Sequence, residues 1–204
     1  MSCSYQSALK MKRRFIMKIA VFGSAFDPPH IGHELIVSTL LGNQLVDEVW
    51  LLPVKYHASG KNMVSDHHRL AMLKLVTRPG VKIELYELNQ SSISYTYYTL
   101  LAFYRRHPDH TFSFVMGADK LIGFNHWVEY RQLLERFPVW VFPRRGFELG
   151  PLYNGMSVIQ KVEPLEVSST HVRDLVKAGR PLGGLVNNHI MEYIVENDLY
   201  VEAN

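Results

Sequence analysis

From Lys18 onward, short runs of β-branched and aromatic residues alternate with stretches whose apolar positions recur at helical spacing. The runs Lys18 to Phe22, Val49 to Leu52, Val81 to Leu85, Phe112 to Met116, Val139 to Phe142 and Val158 to Val162 predict strands. Between them His30 to Leu41, Asp66 to Val76, Thr96 to Arg106 and Tyr130 to Arg136 predict helices, each flanked by Gly, Pro, Ser or Asp, which break or cap helical runs. Strands and helices in alternation predict βαβ units, so the expected fold class is α/β, a doubly wound parallel sheet with helices on both faces. Two further helices then follow in succession, Thr170 to Ala178 and Asn188 to Glu196, joined by the turn-rich AGRPLGG. They predict a small C-terminal helical appendage.

No internal repeat, low-complexity tract or long linker interrupts this pattern, and residues 17–204 are expected to form a single domain. Residues 1–16 are polar and basic and precede Met17 at the edge of the first strand; they are either a disordered extension or upstream of the true start.

Composition narrows the class. Of 204 residues 47% are hydrophobic and 20% charged, which suits a compact core and excludes a disordered or fibrous chain. The net charge of +3, from 22 basic and 19 acidic residues, is too small to argue for duplex nucleic acid but suits a site for small anions. The single cysteine, Cys3, allows neither an intrachain disulfide nor a multi-cysteine metal cage, and points to a reducing compartment. No apolar run approaches the ~20 residues that span a bilayer, and the opening lacks the apolar region of a secretory signal. A cytoplasmic protein with no membrane partner is expected; the sequence leaves room for a homo-oligomer.

In a doubly wound sheet ligands bind beyond the carboxyl ends of the strands. The first such turn reads Gly23-Ser24-Ala25-Phe26-Asp27-Pro28-Pro29-His30-Ile31-Gly32-His33. Gly23 permits close backbone approach, the prolines fix the turn, and His30 and His33 sit one helical turn apart where exposed amides and the helix dipole favour a phosphate. Two other readings of the pair stand beside phosphate binding. A zinc site would need a third ligand, and the other histidines lack ligand spacing, so no protein metal site is expected; a mere pair of capping histidines leaves the surrounding Gly and Pro unexplained.

Near the other end, Val167-Ser168-Ser169-Thr170-His171-Val172-Arg173 opens a helix. Ser168 or Ser169 is a good N-cap, the Ser169 and Thr170 hydroxyls with the first-turn amides make an anion seat, and Arg173 follows one turn later on the same face. An ordinary capped helix with a solvated Arg is the alternative. A third region holds Ser94-Tyr95-Thr96 at a helix start and Met116-Gly117-Ala118-Asp119 at a strand end, followed by Trp127. Asp119 suits ribose hydroxyls or a helix N-cap; Trp127 suits stacking on a pyridine ring or plain core packing.

The first string resembles the nucleotidyltransferase signature, a glycine followed by F-D-P-x-H-x-G-H, and the second resembles that family's S-S-T-x-[IV]-R motif. The third, with G-A-D-K-L and Trp127, is similar to the S-Y-T and G-A-D-x-L pattern of nicotinate mononucleotide adenylyltransferases, and the likeness runs from Met17 to about Tyr200. The resemblance implies a Rossmann-like enzyme of NAD biosynthesis that transfers AMP from ATP to nicotinate mononucleotide and releases pyrophosphate. It implies His30, His33 and Arg173 as catalytic residues. ATP would meet Gly23, Ser24, Ala25, Phe26, Gly117, Asp119, Ser169 and Thr170 besides these three. Mg²⁺ would arrive mainly through the triphosphate. The acceptor would meet Lys55, Lys61, Tyr95, Thr96, Trp127 and Arg144.

The chain departs from the pattern at Ala25, where the family has Ser or Thr, in the loop Lys55 to Lys61, which replaces P-P-H-K, at Tyr98, which replaces Asp, and at Arg144-Arg145-Gly146, which replaces R-P-G. Lys55 and Lys61 are either cations for the acceptor phosphate or solvated lysines; Arg144 and Arg145 are either ligand contacts or a charged turn. Nicotinamide mononucleotide or another phosphorylated acceptor, and a non-catalytic nucleotide-binding regulator, remain the competing functions.

Overall fold

A computed structural model describes residues 15–56, 60, 62–159, 162 and 166–201. Six strands, β1 (Lys18–Ser24), β2 (Glu48–Pro53), β3 (Val81–Ile83), β4 (Thr111–Gly117), β5 (Val139–Phe142) and β6 (Met156–Val158), form one sheet in the order β3-β2-β1-β4-β5-β6, with every pairing parallel. This is the Rossmann-like strand order, and the chain reverses direction across the sheet between β1 and β4.

Successive strand residues point to opposite faces, and helices cover both. On one face Ile19, Val21, Trp50, Leu52, Phe112 and Phe114 pack against Leu100 and Phe103 of α3 (Thr96–Arg106) and Leu133 of α4 (Tyr130–Arg136). On the other, Ala20, Phe22, Val49, Leu51 and Val115 meet Val37 and Leu40 of α1 (Ile31–Gly42) and Leu73 of α2 (Asp66–Lys74). Burial on both faces explains why the central strands read as unbroken apolar runs rather than as alternation.

The C-terminal helices α5 (Ser169–Lys177) and α6 (Asn188–Glu196) are capped by Ser168 and Asn187, whose side chains accept from the amides of His171 and His189. Their buried residues Val172, Leu175, Ile190 and Ile194 join Met72 of α2 in a third cluster. The appendage is thereby fixed beside the first half of the sheet.

The sequence expectation for the last strand needs moving. The apolar run Val158 to Val162 predicts β6, yet the ladder begins at Met156, opposite Val139, and ends at Val158, opposite Val141. Ile159 still donates to the Val141 carbonyl at 3.0 Å, but β5 stops at Phe142 and Pro143 follows with no amide to continue the pairing. Two short 3-10 turns, Ala118–Lys120 and Phe124–His126, carry the chain from β4 to α4 and were not predicted by the pattern. Among the described residues no helix is long and apolar enough to cross a membrane.

Candidate active site

A cavity of about 800 Å³ opens beyond the carboxyl ends of β1 and β4, at the point where the strand order reverses. Its wall brings together the β1–α1 turn, the start of α5, the end of β4 and the start of α3.

The β1–α1 turn shows why two histidines stand three residues apart. His30 is the N-cap of α1, and its Nδ1 accepts from the Gly32 amide at 3.1 Å, while His33 Nδ1 accepts from the His30 amide at 3.1 Å. The pair thus forms a capping box in which imidazoles take the places usual for Ser/Thr and Glu/Gln. A Cβ at position 32 would lie 2.9 Å from the His30 ring, so the glycine between them is required by the back-folded ring itself. The rings stack at 3.8 Å, and His33 also rests 4.8 Å from Phe26, which is fully buried and held at φ 49, a backbone state costly for a bulky residue.

This geometry fixes the proton. With each Nδ1 occupied as an acceptor, the neutral rings carry hydrogen on Nε2, and His33 Nε2 donates to Ser24 Oγ at 3.3 Å. Burial, reinforced by the Arg144 guanidinium, pulls the His30 imidazole down to about 3. Burial, then the His30 ring and Arg144, hold His33 well below its ordinary value. Two neutral Nε2 donors therefore stand at the helix N-terminus at neutral pH.

A stability consequence follows. In the unfolded chain both rings bind a proton near pH 6.5, whereas in the folded chain they resist it, so their contribution is fully present above that pH and is lost as pH falls toward 3. The expected slope is about 1.4 kcal/mol per pH unit per ring. It is opposed in part by Glu87, whose carboxyl burial pushes up to about 6 despite a bond from Thr99, so that its protonation favours the fold on acidification. Denaturant midpoints between pH 7 and pH 5 are expected to fall for the wild type and less steeply for His33→Asn; equal slopes would contradict the assignment.

α5 docks directly on this turn. Ser169 Oγ donates to the Pro28 carbonyl at 2.9 Å, and Arg173 Nη1 donates to the Asp27 carbonyl at 2.7 Å. Arg173 Nη2 donates to Thr170 Oγ1 at 3.2 Å, which leaves the Thr170 hydroxyl its own proton to give outward. Ser169 therefore ties the turn in place, while Thr170 and the unused N–H groups of Arg173 face the cavity.

At the end of β4, Asp119 accepts from Arg144 at 3.2 Å and lies 3.3 Å from Lys120. Its carboxylate folds back over Gly117, where any Cβ would overlap it. Tyr95, Thr96 and Trp127 line the same cavity. The Trp127 ring is held by Phe114 at 5.9 Å and Phe124 at 5.0 Å.

Of the residues singled out by sequence, Gly23, Ser24, Ala25, His30, His33, Tyr95, Thr96, Gly117, Asp119, Trp127, Arg144, Ser169, Thr170 and Arg173 all line the cavity. Phe26 lies beneath His33 instead. Lys55 is paired to Asp66 at 2.5 Å and is not part of the lining; Lys61 lies outside the described residues. Among the described residues no group of three or more His, Cys, Asp or Glu converges as a metal cage.

Two buried groups escaped the sequence reading. Arg69 is fully buried and donates to the Ala25 carbonyl at 2.7 Å, the Val54 carbonyl at 2.8 Å and Asp66 Oδ1 at 2.6 Å, joining the turns after β1 and β2. Asp27, 2% exposed, accepts from the Tyr200 hydroxyl at 2.8 Å. The Arg69–Asp66 pair is local, but the bonds from Arg69 to Ala25 and from Tyr200 to Asp27 leave no local signal, since those partners stand 44 and 173 residues apart.

Comparison with known proteins agrees with this geometry. The cytidylyltransferase-like family model matches residues 21–175. The chain is 33% identical over 187 residues to the nicotinate-nucleotide adenylyltransferase of Bacillus subtilis (strain 168), covering 90% of this chain and 98% of that protein. Among solved structures, Plasmodium falciparum nicotinic acid mononucleotide adenylyltransferase complexed with NaAD shares the fold at a TM-score of 0.77 with 21% identity, over 90% of this chain and 97% of that one. The same protein complexed with APC gives 0.76 with 20% identity over the same shares. The chain therefore belongs to the cytidylyltransferase-like family and, within it, to the nicotinate-nucleotide adenylyltransferases.

Proposed function

We propose that this chain transfers AMP from ATP to nicotinate mononucleotide, forming deamido-NAD and releasing pyrophosphate. The observation that carries the reading is one cavity holding two halves of different chemistry: neutral Nε2 donors, a threonine hydroxyl and an arginine on one side, and an aromatic ring with a helix start on the other.

The acceptor's phosphate oxygen attacks the α-phosphorus in line. A new P–O bond forms, the bond from the α-phosphorus to the bridging oxygen breaks, and pyrophosphate departs with the electron pair. No enzyme nucleophile is needed, so the work of the chain is to hold two anions together and to disperse the charge that grows on the leaving group. His30 and His33 donate from Nε2 to the phosphate oxygens nearest the reacting centre; Thr170 and Arg173 take the β and γ groups. Mg²⁺ would be held mainly by the ATP phosphates and would supply charge neutralisation there, the usual manner for this ion. Asp27 and Asp119 already answer to Tyr200, Arg144 and Lys120.

Trp127 is assigned to the pyridine ring. Trp127→Ala is expected to raise KM for the acceptor about tenfold, the size of one lost stacking contact, with KM for ATP nearly unchanged. Equal weakening of both substrates would show that the ring serves only to pack against Phe114 and Phe124.

A further inference from the structure

We propose that Tyr200 is a positioning residue of the anion site: its hydroxyl satisfies the buried Asp27 carboxylate and so keeps the charge of Arg173 available to the polyphosphate. This rests on the anion-binding half of the function proposed above.

Asp27 is almost wholly buried in the turn that carries the histidines, and a buried carboxylate needs donors. One oxygen, Oδ1, receives the Tyr200 hydroxyl at 2.8 Å. The other, Oδ2, lies 3.9 Å from Arg173 Nη1, well beyond the length of a charge-assisted hydrogen bond. Arg173 spends that nitrogen on the Asp27 carbonyl instead, at 2.7 Å. A closed, two-pronged pair between Asp27 and Arg173 would neutralise the guanidinium where it stands. The phenol prevents this by supplying a donor without a charge. Burial, together with the Asp27 charge, pushes the phenol's own ionisation far above its ordinary value, so it remains a donor.

The tail is built to place this hydroxyl. Asp198 and Tyr200 both take left-handed backbone conformations, at φ 47 and φ 65, which residues with a Cβ adopt at a cost. Between them Leu199 is buried in the cluster shared by α2, α5 and α6. The packing of Leu199 and the Tyr200–Asp27 bond hold that strained turn, which sets the Tyr200 hydroxyl on the carboxylate of the β1–α1 turn.

Tyr200→Phe keeps the ring and removes the one oxygen. Titration of the full chain with inorganic pyrophosphate and with ATP, both with Mg²⁺, is expected to show about tenfold weaker binding in the variant, the scale of one lost charge-assisted contact. KM for ATP should rise in parallel while KM for the acceptor stays within about twofold. Ile190→Val, which trims the same apolar cluster on α6 rather than in the tail that carries Tyr200, is expected to lower thermal stability and leave ATP affinity unchanged. Unchanged affinity in Tyr200→Phe, equal shifts in both substrates, or an equal loss in Ile190→Val would overturn the role. Because binding is read without any acceptor, a chain that binds ATP but turns over no pyridine nucleotide still tests it; failure of the wild type to bind ATP or pyrophosphate would overturn the anion site and this role together.

Discussion

His33→Ala is expected to lower turnover by ~10² to 10³ while the chain remains folded, the typical result of removing one preorganised donor from a developing negative charge. The reason lies in what the ring does. Its Nδ1 is committed to the His30 amide, so Nε2 carries the hydrogen, and among the described residues the side-chain partner of that hydrogen is the Ser24 hydroxyl at a long 3.3 Å. A phosphate oxygen competes easily for such a donor. Loss of the ring also removes one half of the capping box and the contact with Phe26, so a fall in stability of about 1 kcal/mol should accompany the kinetic loss. Pyrophosphate release and far-UV circular dichroism on the same preparation separate the two effects. A folded variant with wild-type turnover would contradict the assignment.

Arg69→Met is expected to be the most destabilising single change at the ligand end of the sheet, at about 3 to 5 kcal/mol, as is usual when one partner of a buried charged network is removed. Three acceptors lose their donor together: the Ala25 and Val54 carbonyls and Asp66 Oδ1. Arg69→Lys should not rescue the loss, because a single ammonium cannot reach the divergent points that a guanidinium fork spans. Urea midpoints measure both; a loss below about 1 kcal/mol for Arg69→Met would show that the network adds little to the fold.

The contrast between these residues shows what could be read in advance. His30, Gly32 and His33 are neighbours in sequence, and their capping geometry is local, so the order of residues reveals it. The same holds for Ser168 at the start of α5 and for the central strands, whose burial on both faces writes itself as apolar runs. The edge strand was harder: β6 depends on where β5 ends, and Pro143 decides that from another segment. Arg69 belongs to no motif, and Tyr200 only marks the end of the family likeness; their roles exist only once the turns after β1 and β2 and the C-terminal tail meet. Phe26 was expected against ATP as part of the motif, and its full burial under His33 follows from the left-handed turn, which residue order alone does not dictate.

Two departures from the family pattern lie on α3 and in the loop after β2. Tyr98 is exposed on α3, and Lys55 is bound by Asp66, whose carboxyl partial burial would raise but which Lys55 and Arg69 together hold below its usual range. The β1–α1 turn and α5, by contrast, keep His30, His33, Thr170 and Arg173, and depart from the pattern at Ala25, which lacks the family's hydroxyl.

The most direct measurement is pyrophosphate release from ATP and Mg²⁺ by the purified chain, with nicotinate mononucleotide and nicotinamide mononucleotide compared at matched concentrations. The account predicts turnover with the nicotinate compound and a kcat/KM about a hundredfold above that for the nicotinamide compound. Equal or reversed preference would contradict the assigned acceptor, and ATP binding with no turnover on either would contradict the enzyme.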